Sequence, residues 1–479
     1  MSYRLFGVNL VVVMGLGCTS EDTGNEQTDT ETNVEVEGEY PNVDCEGVDD
    51  PCIQIAGGDA LRLLEVTNML TDNTTIVLGS GTWEMDNQVT IRSANGVTLI
   101  GQGMDETILD FAGQQVQTNG VDVIGDDFLI EGLTIQDAKK DGLRVEESDG
   151  VVIRGVRATW SGGPDSDNGS YGLYPVRSQN VLMEDCECYN SSDAGLYIGQ
   201  SINVIVRNNY AKNNVAGIEI ENTQYADVYG NIAEENTGGL LVFDLPGNPI
   251  VGRDVRIHDN IVRNNNISNF APGGTVRAIP AGTGTVVLAS RRVEIFDNVY
   301  ENNNTADIAI LNGLAIEGNE DSWMIKRADA AGDVDDLSLM EDKDGNYYNF
   351  RTENIVVANN SHSGSGTAPD YNSVDLRPIG FLVAVIYQDA EAVDDVLYGT
   401  IGESGFDPIE ATLNSNDNHI CVGGNDQGSF ASLNLEETGD GLEEGNVPGL
   451  DDIFQPAAPF APFDCTELEG GSIAEVVLK

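Results

Sequence analysis

A repeat of about 22 residues is the feature that most constrains how this 479-residue chain can fold. Short β-type runs such as LRV, LYIG and IEIE each follow a glycine. These glycines are Gly142, Gly172, Gly195, Gly217, Gly239 and Gly284, with separations of 30, 23, 22, 22 and 45 residues. A coil of three short strands and three turns uses about 20–25 residues, and successive coils stack about 4.8 Å apart. The period therefore predicts an all-β chain folded as a right-handed, single-stranded parallel β-helix.

Asparagines recur in a second register of the same repeat. The runs VIVRNNYAKNN, ADVYGNIAEEN, VRIHDNIVRNN and VEIFDNVYENN place them in two columns, Asn209, Asn231, Asn260 and Asn298, and Asn214, Asn236, Asn265 and Asn303. Asn tolerates left-handed backbone, and its amide can bond the coils above and below. The columns therefore predict amide ladders at two turns. Cys186 falls in the first column and Cys188 aligns with Ala211, so both are expected to be unpaired and stacked into the wall.

Changes in composition divide the chain into segments. Asp59 precedes a short amphipathic run that is suited to a helix capping the first coil, and the repeat is interrupted after Asp307. We predict a signal peptide (1–17), an acidic disordered tether (18–40), an N-terminal cap with the β-helix (41–312), an insertion (313–350), final coils (351–400) and a C-terminal cap (401–479).

The first 18 residues have the composition of an export signal. Arg4 is basic, Leu5 to Gly17 are 13 mostly apolar residues, and Cys18 follows. The run is too short to span a bilayer, and a small residue before Cys is typical of lipoprotein cleavage sites. We predict that Cys18 is lipidated, with simple cleavage as the alternative. The protein is then exported and anchored in the bacterial envelope, on the periplasmic or surface side of the outer membrane, with no other membrane contact.

The charge of the chain excludes several kinds of partner. With 80 Asp and Glu residues against 23 Lys and Arg residues, the formal net charge is −57. Such a surface repels nucleic acid, and it repels a polyanionic glycan unless divalent cations bridge the two. A highly acidic surface is also typical of adaptation to salt. Export implies an oxidising compartment, so we expect a disulfide between Cys421 and Cys465, which bracket the C-terminal region.

The repeats resemble a known family. The matching runs GLYPVRSQNV, SDAGLYIGQS, NNVAGIEIEN and TGGLLVFDLP lie between Gly172 and Pro246. They resemble the exported bacterial parallel β-helix repeat proteins of the pectin-lyase-like superfamily. The resemblance covers residues 75–310 and implies an envelope protein with an envelope protein partner. It implies no settled activity, and the Asp-Pro-His-Asp signature of the related alginate epimerases is absent.

Polar and aromatic residues fall on one face of the strand that follows each repeating glycine. Side chains alternate along a strand, so Tyr174, Tyr197, Glu219 and Glu221 are expected to point outward on neighbouring coils. We predict a polysaccharide site with Glu219, Glu221 and Tyr197 as catalytic residues. The ligand-binding residues are expected to be Arg144, Tyr174, Arg177, Asp193, Gln200 and Asp244. Inserted residues around 161–170, 245–252 and 266–279 would form the walls of a cleft.

The site residues leave the reaction open. Glu219 and Glu221 suit a glycoside hydrolase, whereas a tyrosine with Arg144 or Arg177 suits a polysaccharide lyase or epimerase. The two glutamates would also suit a calcium ion shared with Asp193 or Asp244. The other interpretation of the chain is a non-catalytic scaffold or interaction protein of the envelope.

A second candidate for calcium binding lies in the insertion. Asp342, Asp344 and Asn346, with Glu353 at the twelfth position, partly match the ligand spacing of an EF-hand loop. The glycine of this run is at the fourth position rather than the sixth. The spacing predicts a calcium site there.

Overall fold

The computed structural model describes residues 43–49, 51–334, 337, 339–370, 383, 387, 392–399, 416–426, 428–433, 453–454 and 462–479. These belong to one compact unit, Gly38–Lys479. The predicted signal peptide and the whole of the predicted tether, including Cys18, lie outside the described residues.

Strands stack in two long sheets, in which all pairs are parallel except that of Ile453–Phe454 with Phe430–Leu433. The 20-stranded sheet contains Cys52–Ile55, Thr75–Leu78, Gly81–Glu84, Thr98–Ile100, Thr107–Asp110, Leu129–Gln136, Asp149–Thr159, Gln179–Glu184, Glu187–Tyr189, Ile202–Arg207, Tyr210–Lys212, Gln224–Tyr229, Ile232–Glu234, Arg253–His258, Ile261–Arg263, Arg291–Phe296, Val299–Glu301, Glu353–Ala358, Ser361–Ser363 and Ile420–Cys421. The 12-stranded sheet contains Val89–Ile91, Val121–Val123, Leu143–Glu146, Tyr171–Val176, Ala194–Gly199, Ala216–Glu221, Gly238–Phe243, Thr283–Leu288, Ala306–Leu311, Val396–Gly399, Phe430–Leu433 and Ile453–Phe454.

One coil shows how the repeat is used. The strand Ala194–Gly199 lies in the 12-stranded sheet, and Ile202–Arg207 and Tyr210–Lys212 follow in the 20-stranded sheet. Each pairs in parallel with its equivalent one coil later, for example Leu196 with Ile218 and Val204 with Ala226. The chain is therefore a stack of three-stranded coils, which confirms the predicted parallel β-helix.

The two asparagine ladders are present. Asn231 donates from Nδ2 to Val206 O (2.9 Å) and to Asn260 Oδ1 (3.0 Å), and its own Oδ1 accepts the backbone N–H of Asn209 (2.9 Å). Asn236 repeats this pattern with Ala211 O and Asn265 Oδ1. Because these amides are buried, each must bond its neighbours, and the ladder fixes the spacing of the coils. Cys186 and Cys188 are buried and free, as expected.

The interior of the coils is apolar, with inward residues such as Leu196, Ile198, Ile218 and Ile220 almost wholly buried. The outward residues differ from the expectation in their exposure. Leu241, Phe243, Val286 and Leu288 point outward, yet they too are buried, in a second apolar cluster. The predicted alternation is therefore correct, but this face of the 12-stranded sheet is covered.

Two segments provide the cover. The first covering segment, 266–282, includes the 3₁₀ helix Thr275–Ala278 and contributes Val276 and Ile279 to the second cluster. The second covering segment, 313–350, contributes Trp323 and Phe350. Its elements are the 3₁₀ helices Gly313–Ala315 and Glu320–Trp323 and the three-stranded antiparallel sheet Met324–Ile325, Met340–Glu341 and Tyr347–Tyr348.

The ends of the stack are closed differently. At the N-terminal end the helix Ala60–Thr67 begins at Asp59, whose side chain accepts a hydrogen bond from Arg62 N, and it buries Leu63 and Val66. At the C-terminal end the coils continue past residue 400. Ile420 and Cys421 pair in parallel with Ile355 and Val356, and the strand Phe430–Leu433 pairs in parallel with Val396–Gly399. The expected end of the coils at residue 400 was too early, because long intervening segments hide the period there.

Candidate functional site: an acid–tyrosine cluster

Three adjacent strands of the 12-stranded sheet bring acidic and aromatic side chains together. Register places Tyr197 beside Glu219 and Gly199 beside Glu221, and Tyr174 lies one coil earlier. Asp193 immediately precedes the strand Ala194–Gly199. We call Asp193, Glu219, Glu221, Tyr171, Tyr174 and Tyr197 the acid–tyrosine cluster.

The three tyrosine rings pack directly on one another. Ring centroids are 4.6 Å apart for Tyr171 and Tyr174, 4.5 Å for Tyr171 and Tyr197, and 4.8 Å for Tyr174 and Tyr197. Tyr171 and Tyr174 keep partly exposed surface, whereas Tyr197 is buried. The cluster therefore has an aromatic margin that reaches solvent and a buried interior.

The carboxylates lie beneath inserted residues. Glu219 is 2% exposed and Glu221 is 7% exposed. Asn248, from the insertion at 245–252, donates from Nδ2 to Glu221 Oε1 (2.9 Å). A side-chain carbon at Gly274 of the first covering segment would lie 3.4 Å from Asp193 Oδ2. The insertions thus lie over the acids, rather than beside an open cleft as the sequence suggested.

Burial raises the pKa of all three acids. Burial raises the pKa of Glu219 strongly, and the neighbouring charges of Asp193 and Glu221 raise it further. Its Oε2 is buried and has no hydrogen-bond partner. The pKa of Asp193 is raised well above its usual value for the same reasons, chiefly burial and then the charge of Glu221. Burial and the neighbouring charges therefore favour the protonated forms of Glu219 and Asp193.

Glu221 lies in a more polar environment. Burial raises its pKa, but hydrogen bonds from Tyr197, Asn248 and Gln200 oppose that effect. Gln200 donates from Nε2 to Glu221 Oε1 at 3.4 Å. Two neighbouring acids thus have environments that separate their pKa values, as in enzymes that pair a general acid with a carboxylate.

The tyrosines are held in their neutral form. Burial raises the pKa of Tyr174 to about 12, and the charge of Asp141 adds to the shift. Burial and the charges of Glu221 and Glu219 also raise the pKa of Tyr197. These hydroxyls can donate hydrogen bonds at neutral pH, but they are poor bases.

Two arginines border the cluster, Arg144 on the preceding coil and Arg177 at the end of the strand Tyr171–Val176. Arg144 Nη2 lies 2.5 Å from Glu146 Oε2, and its guanidinium carbon lies 5.9 Å from the centre of the Tyr174 ring. Arg177 pairs with the other oxygen of Glu146 and, at 3.2 Å, with Glu147. Both guanidinium groups are thus engaged with glutamates on one side and have exposed surface on the other.

Asp244 is not part of this group. Its side chain is 1% exposed and accepts hydrogen bonds from Gly252 N (2.6 Å) and Asn349 Nδ2 (2.7 Å). Burial raises its pKa to about 7 against these bonds and the charge of Arg291. Asp244 therefore ties the 245–252 insertion to the second covering segment.

Of the predicted calcium ligands of the insertion, Asp342, Asp344 and Asn346 share one turn, whereas Glu353 lies on a different element. Asp342 accepts hydrogen bonds from the backbone N–H of Asp344 (2.8 Å) and Asn346 (2.9 Å), forming a tight β-turn. Glu353 begins a strand of the 20-stranded sheet and lies 3.7 Å from Arg351 and 3.6 Å from Arg291. The reason is structural, because a hairpin turn stands where an EF-hand needs a loop between two helices.

Some residues of the site were not anticipated. Tyr171 precedes Gly172 and pairs in register with Ala194, which precedes Gly195, so the position before each repeating glycine was the available signal. Asp141 is 1% exposed, and its Oδ2 lies 3.6 Å from Lys140 Nζ. Asn248 lies in an insertion without a repeat, so no pattern in the sequence could place it on Glu221.

Metal-ligating side chains converge elsewhere. Ligand atoms of Asp307, His362 and Asp395 lie within 4.8 Å of one another, with His362 Nδ1 2.9 Å from Asp307 Oδ2. His419 lies near Cys421 and Cys465, but those cysteines form a disulfide with an S–S distance of 2.00 Å. The stacking of the coils, rather than close spacing in the sequence, brings Asp307, His362 and Asp395 together.

Two disulfides indicate an oxidising, extracytoplasmic environment. The structure contains the expected bond between Cys421 and Cys465 and a second between Cys45 and Cys52. In the described part of the chain, no helix is both long and apolar enough to cross a membrane.

Comparison with known proteins identifies the fold. The family described as "Right handed beta helix region" matches residues 88–251 and 166–321. The chain is similar to the A-module of the mannuronan C-5 epimerase AlgE4 of Azotobacter vinelandii, with 14% identity, 86% of this chain and 94% of that chain covered, and a TM-score of 0.42.

Two other solved structures are similar in fold. The periplasmic alginate epimerase AlgG has 16% identity, with 61% of this chain and 63% of that chain covered and a TM-score of 0.37. The GH136 lacto-N-biosidase of Eubacterium ramulus has 11% identity, coverages of 66% and 65%, and a TM-score of 0.44. No curated protein matches the sequence. The coils described above, together with the family match, show that the chain contains a right-handed parallel β-helix region.

Proposed function

We propose that the protein binds a glycan at the acid–tyrosine cluster and cleaves a glycosidic bond there. The observation that carries the proposal is Glu219, a buried carboxyl group with an unpartnered oxygen and no cation to pair with. An unpaired buried acid lowers the stability of a fold, and such groups cluster at functional sites. At such sites the conformation and the protonation state of the buried acid take part in the reaction.

The two glutamates suit different roles. Glu219, whose pKa is raised well above its usual value, would donate a proton to the glycosidic oxygen as the bond to the anomeric carbon breaks. Glu221, which accepts hydrogen bonds from Asn248 and Gln200, would act as the carboxylate that activates water or attacks the anomeric carbon. The neutral tyrosines disfavour lyase or epimerase chemistry that needs a tyrosine base.

The margin of the cluster would bind the sugar. Tyr171 and Tyr174 have partly exposed rings for stacking on a sugar face, and Gln200 is partly exposed beside them. Since Glu219 and Glu221 are covered, the 245–252 insertion or the first covering segment must move for the glycan to reach them. The net charge of −57 favours a neutral glycan over a polyanion.

An array of neutral and uronate-containing oligosaccharides, probed with and without calcium, tests this proposal. We expect the wild type to bind and slowly hydrolyse a neutral oligosaccharide. Glu219→Gln with Glu221→Gln should abolish turnover while keeping the fold, because glutamine has the same shape as a protonated glutamate. Arg327→Gln, which changes an exposed ion pair with Glu341 outside the cluster, is the matched control.

Two results would contradict the proposal. Equal turnover in the double variant and the wild type would remove the two glutamates from catalysis. If no glycan on the array binds the wild type, the proposed glycan binding is wrong. The alternative, a non-catalytic scaffold protein, would then be preferred. Binding of alginate only in the presence of calcium would replace the neutral glycan by a polyanion bridged by cations.

We also propose that the protein is an exported lipoprotein attached through Cys18. The support is the short apolar leader that ends at this cysteine, together with the disulfides of the folded part. Cys18→Ala should move the protein from the membrane fraction to the soluble fraction. Unchanged partitioning of this variant into detergent would show that the anchor assignment is wrong.

A further inference from the structure

A second group of charged residues lies on the 20-stranded sheet, at the beginning of the neighbouring strands Arg253–His258 and Arg291–Phe296. Arg253 and Arg291 occupy equivalent positions on neighbouring strands, and Arg292 follows Arg291. Arg351 joins them from the end of the second covering segment. These four arginines line a cavity of about 730 Å³, within the usual size range of small-molecule sites. We call it the arginine cavity.

The concentration of positive charge is unusual for this chain. Four of its 23 basic residues line one cavity, although acids outnumber them by 80 to 23 in the sequence. Three acids also line the cavity, Glu353, Asp417 and Glu469. Asp417 and Glu469 are exposed to solvent, so they screen the arginines weakly. Arginines therefore outnumber acids among the residues that line this cavity, although acids predominate in the whole chain.

The arginines are compensated unequally. Arg253 and Arg292 share Asp254, with N–O distances of 2.5 Å and 2.7 Å. Arg291 and Arg351 share Glu353 at 3.6 Å and 3.7 Å, which are ion-pair contacts longer than a charged hydrogen bond. The contact of Arg291 with Glu353 is thus longer than the contacts that Arg253 and Arg292 make with Asp254.

Arg291 carries the strongest signal for a ligand. The residue is 2% exposed, and its Nη1 donates to Asn349 Oδ1 and to Ala289 O (3.3 Å). Its Nε and Nη2 are buried without a hydrogen-bond partner. Leaving charged N–H groups unsatisfied in the interior is costly, and a guanidinium edge of this kind matches the two oxygens of a carboxylate or phosphate.

We propose that the arginine cavity binds a small oxyanion, either the carboxylate of an acidic sugar or a phosphate group, through the free edge of Arg291. This site uses none of the residues of the acid–tyrosine cluster, so the proposal is independent of the proposed glycosidase. Glu353 competes with the ligand for Arg291, and Asn349 holds the guanidinium in place.

Calorimetric titration of the full-length protein with sodium phosphate and with sodium glucuronate tests the site, with sodium chloride at equal ionic strength as the reference. We expect either phosphate or glucuronate to bind. The one that binds shows whether the site takes a phosphate group or the carboxylate of an acidic sugar. Arg291→Met should weaken that binding at least about tenfold, since it removes a charge-assisted pair of hydrogen bonds. Arg327→Met, at an exposed position outside the cavity, should bind as the wild type does.

A second variant keeps the test decisive if Arg291→Met does not fold. Glu353→Gln removes the competing charge and should tighten oxyanion binding several-fold, which general destabilisation would not do. The proposal is overturned if neither oxyanion binds more strongly than chloride, if Arg291→Met binds like the wild type, or if Glu353→Gln leaves the affinity unchanged or weaker.

Discussion

Two buried glutamates on the two sheets of the same β-helix behave in opposite ways. Glu184, on the 20-stranded sheet, is 6% exposed and accepts hydrogen bonds from Arg154 Nε (2.6 Å) and Arg207 Nε (2.8 Å). Burial acts to raise its pKa, but the bonds and charges of the two arginines outweigh this and lower it. Glu219, on the 12-stranded sheet, has no such partner, and its pKa is raised.

The difference shows that burial alone does not decide the charge of a carboxyl group in this fold. Coil stacking repeatedly places arginine beside glutamate on the 20-stranded sheet, as also for Arg157 and Glu187 at 2.7 Å. An arginine on a neighbouring strand could have paired with Glu219 in the same way. Its absence from the acid–tyrosine cluster is why we assign a chemical role to Glu219 and a structural role to Glu184.

The largest expected change in stability concerns the asparagine ladder, which stabilises the coils that carry both glutamates. Asn231→Leu removes a buried amide that bonds Val206 O, Asn260 Oδ1 and Asn209 N. We expect a loss of about 2–3 kcal/mol in the free energy of unfolding, because the partners are left unsatisfied. Asn266→Leu, at a partly exposed position outside the ladders, should cost less in the same denaturant titration. Equal losses would show that the ladder has no special role.

The next effect concerns the compensated glutamate. Glu184→Gln should lower the free energy of unfolding by about 1–2 kcal/mol at pH 7, since Arg154 and Arg207 lose their shared anion but are partly exposed. The folded-state pKa of Glu184 is depressed, so its stabilisation is present above the unfolded-state pKa and is lost as the pH falls through the folded value. The variant and the wild type should converge in acid. A deficit independent of pH would contradict this account.

The smallest effect has the opposite sign. The folded-state pKa of Glu219 is raised, so its contribution is fully present below the unfolded-state pKa and is lost as the pH rises through the folded value. Glu219→Gln should therefore match the wild type near pH 4 and exceed its stability at pH 8 by about 1 kcal/mol. Denaturant titrations at both pH values measure this. A variant less stable than the wild type at pH 8 would mean that Glu219 is ionised and stabilising.

The sequence predicted the coils better than the site, for a physical reason. Asn231 and Asn260 lie in a repeat, so their bonds follow from register alone. The outward direction of Glu219 also follows from alternation, but Gly274 beside Asp193 and Asn248 on Glu221 belong to insertions with no period. The arginine cavity likewise joins Arg291 to Arg351 across a long insertion, although the aligned runs RDVRI and RRVEI could have placed Arg253 beside Arg291.

The central claim is that Glu219 holds a proton at neutral pH while Glu184 does not. Infrared difference spectra between the wild type and each single variant at pH 7 measure this directly through the C=O stretch of a protonated carboxyl group. We predict that Glu219→Gln removes such a band and that Glu184→Gln removes only carboxylate bands. Loss of a carboxylate band, with no protonated band, in the Glu219→Gln difference spectrum would contradict the account.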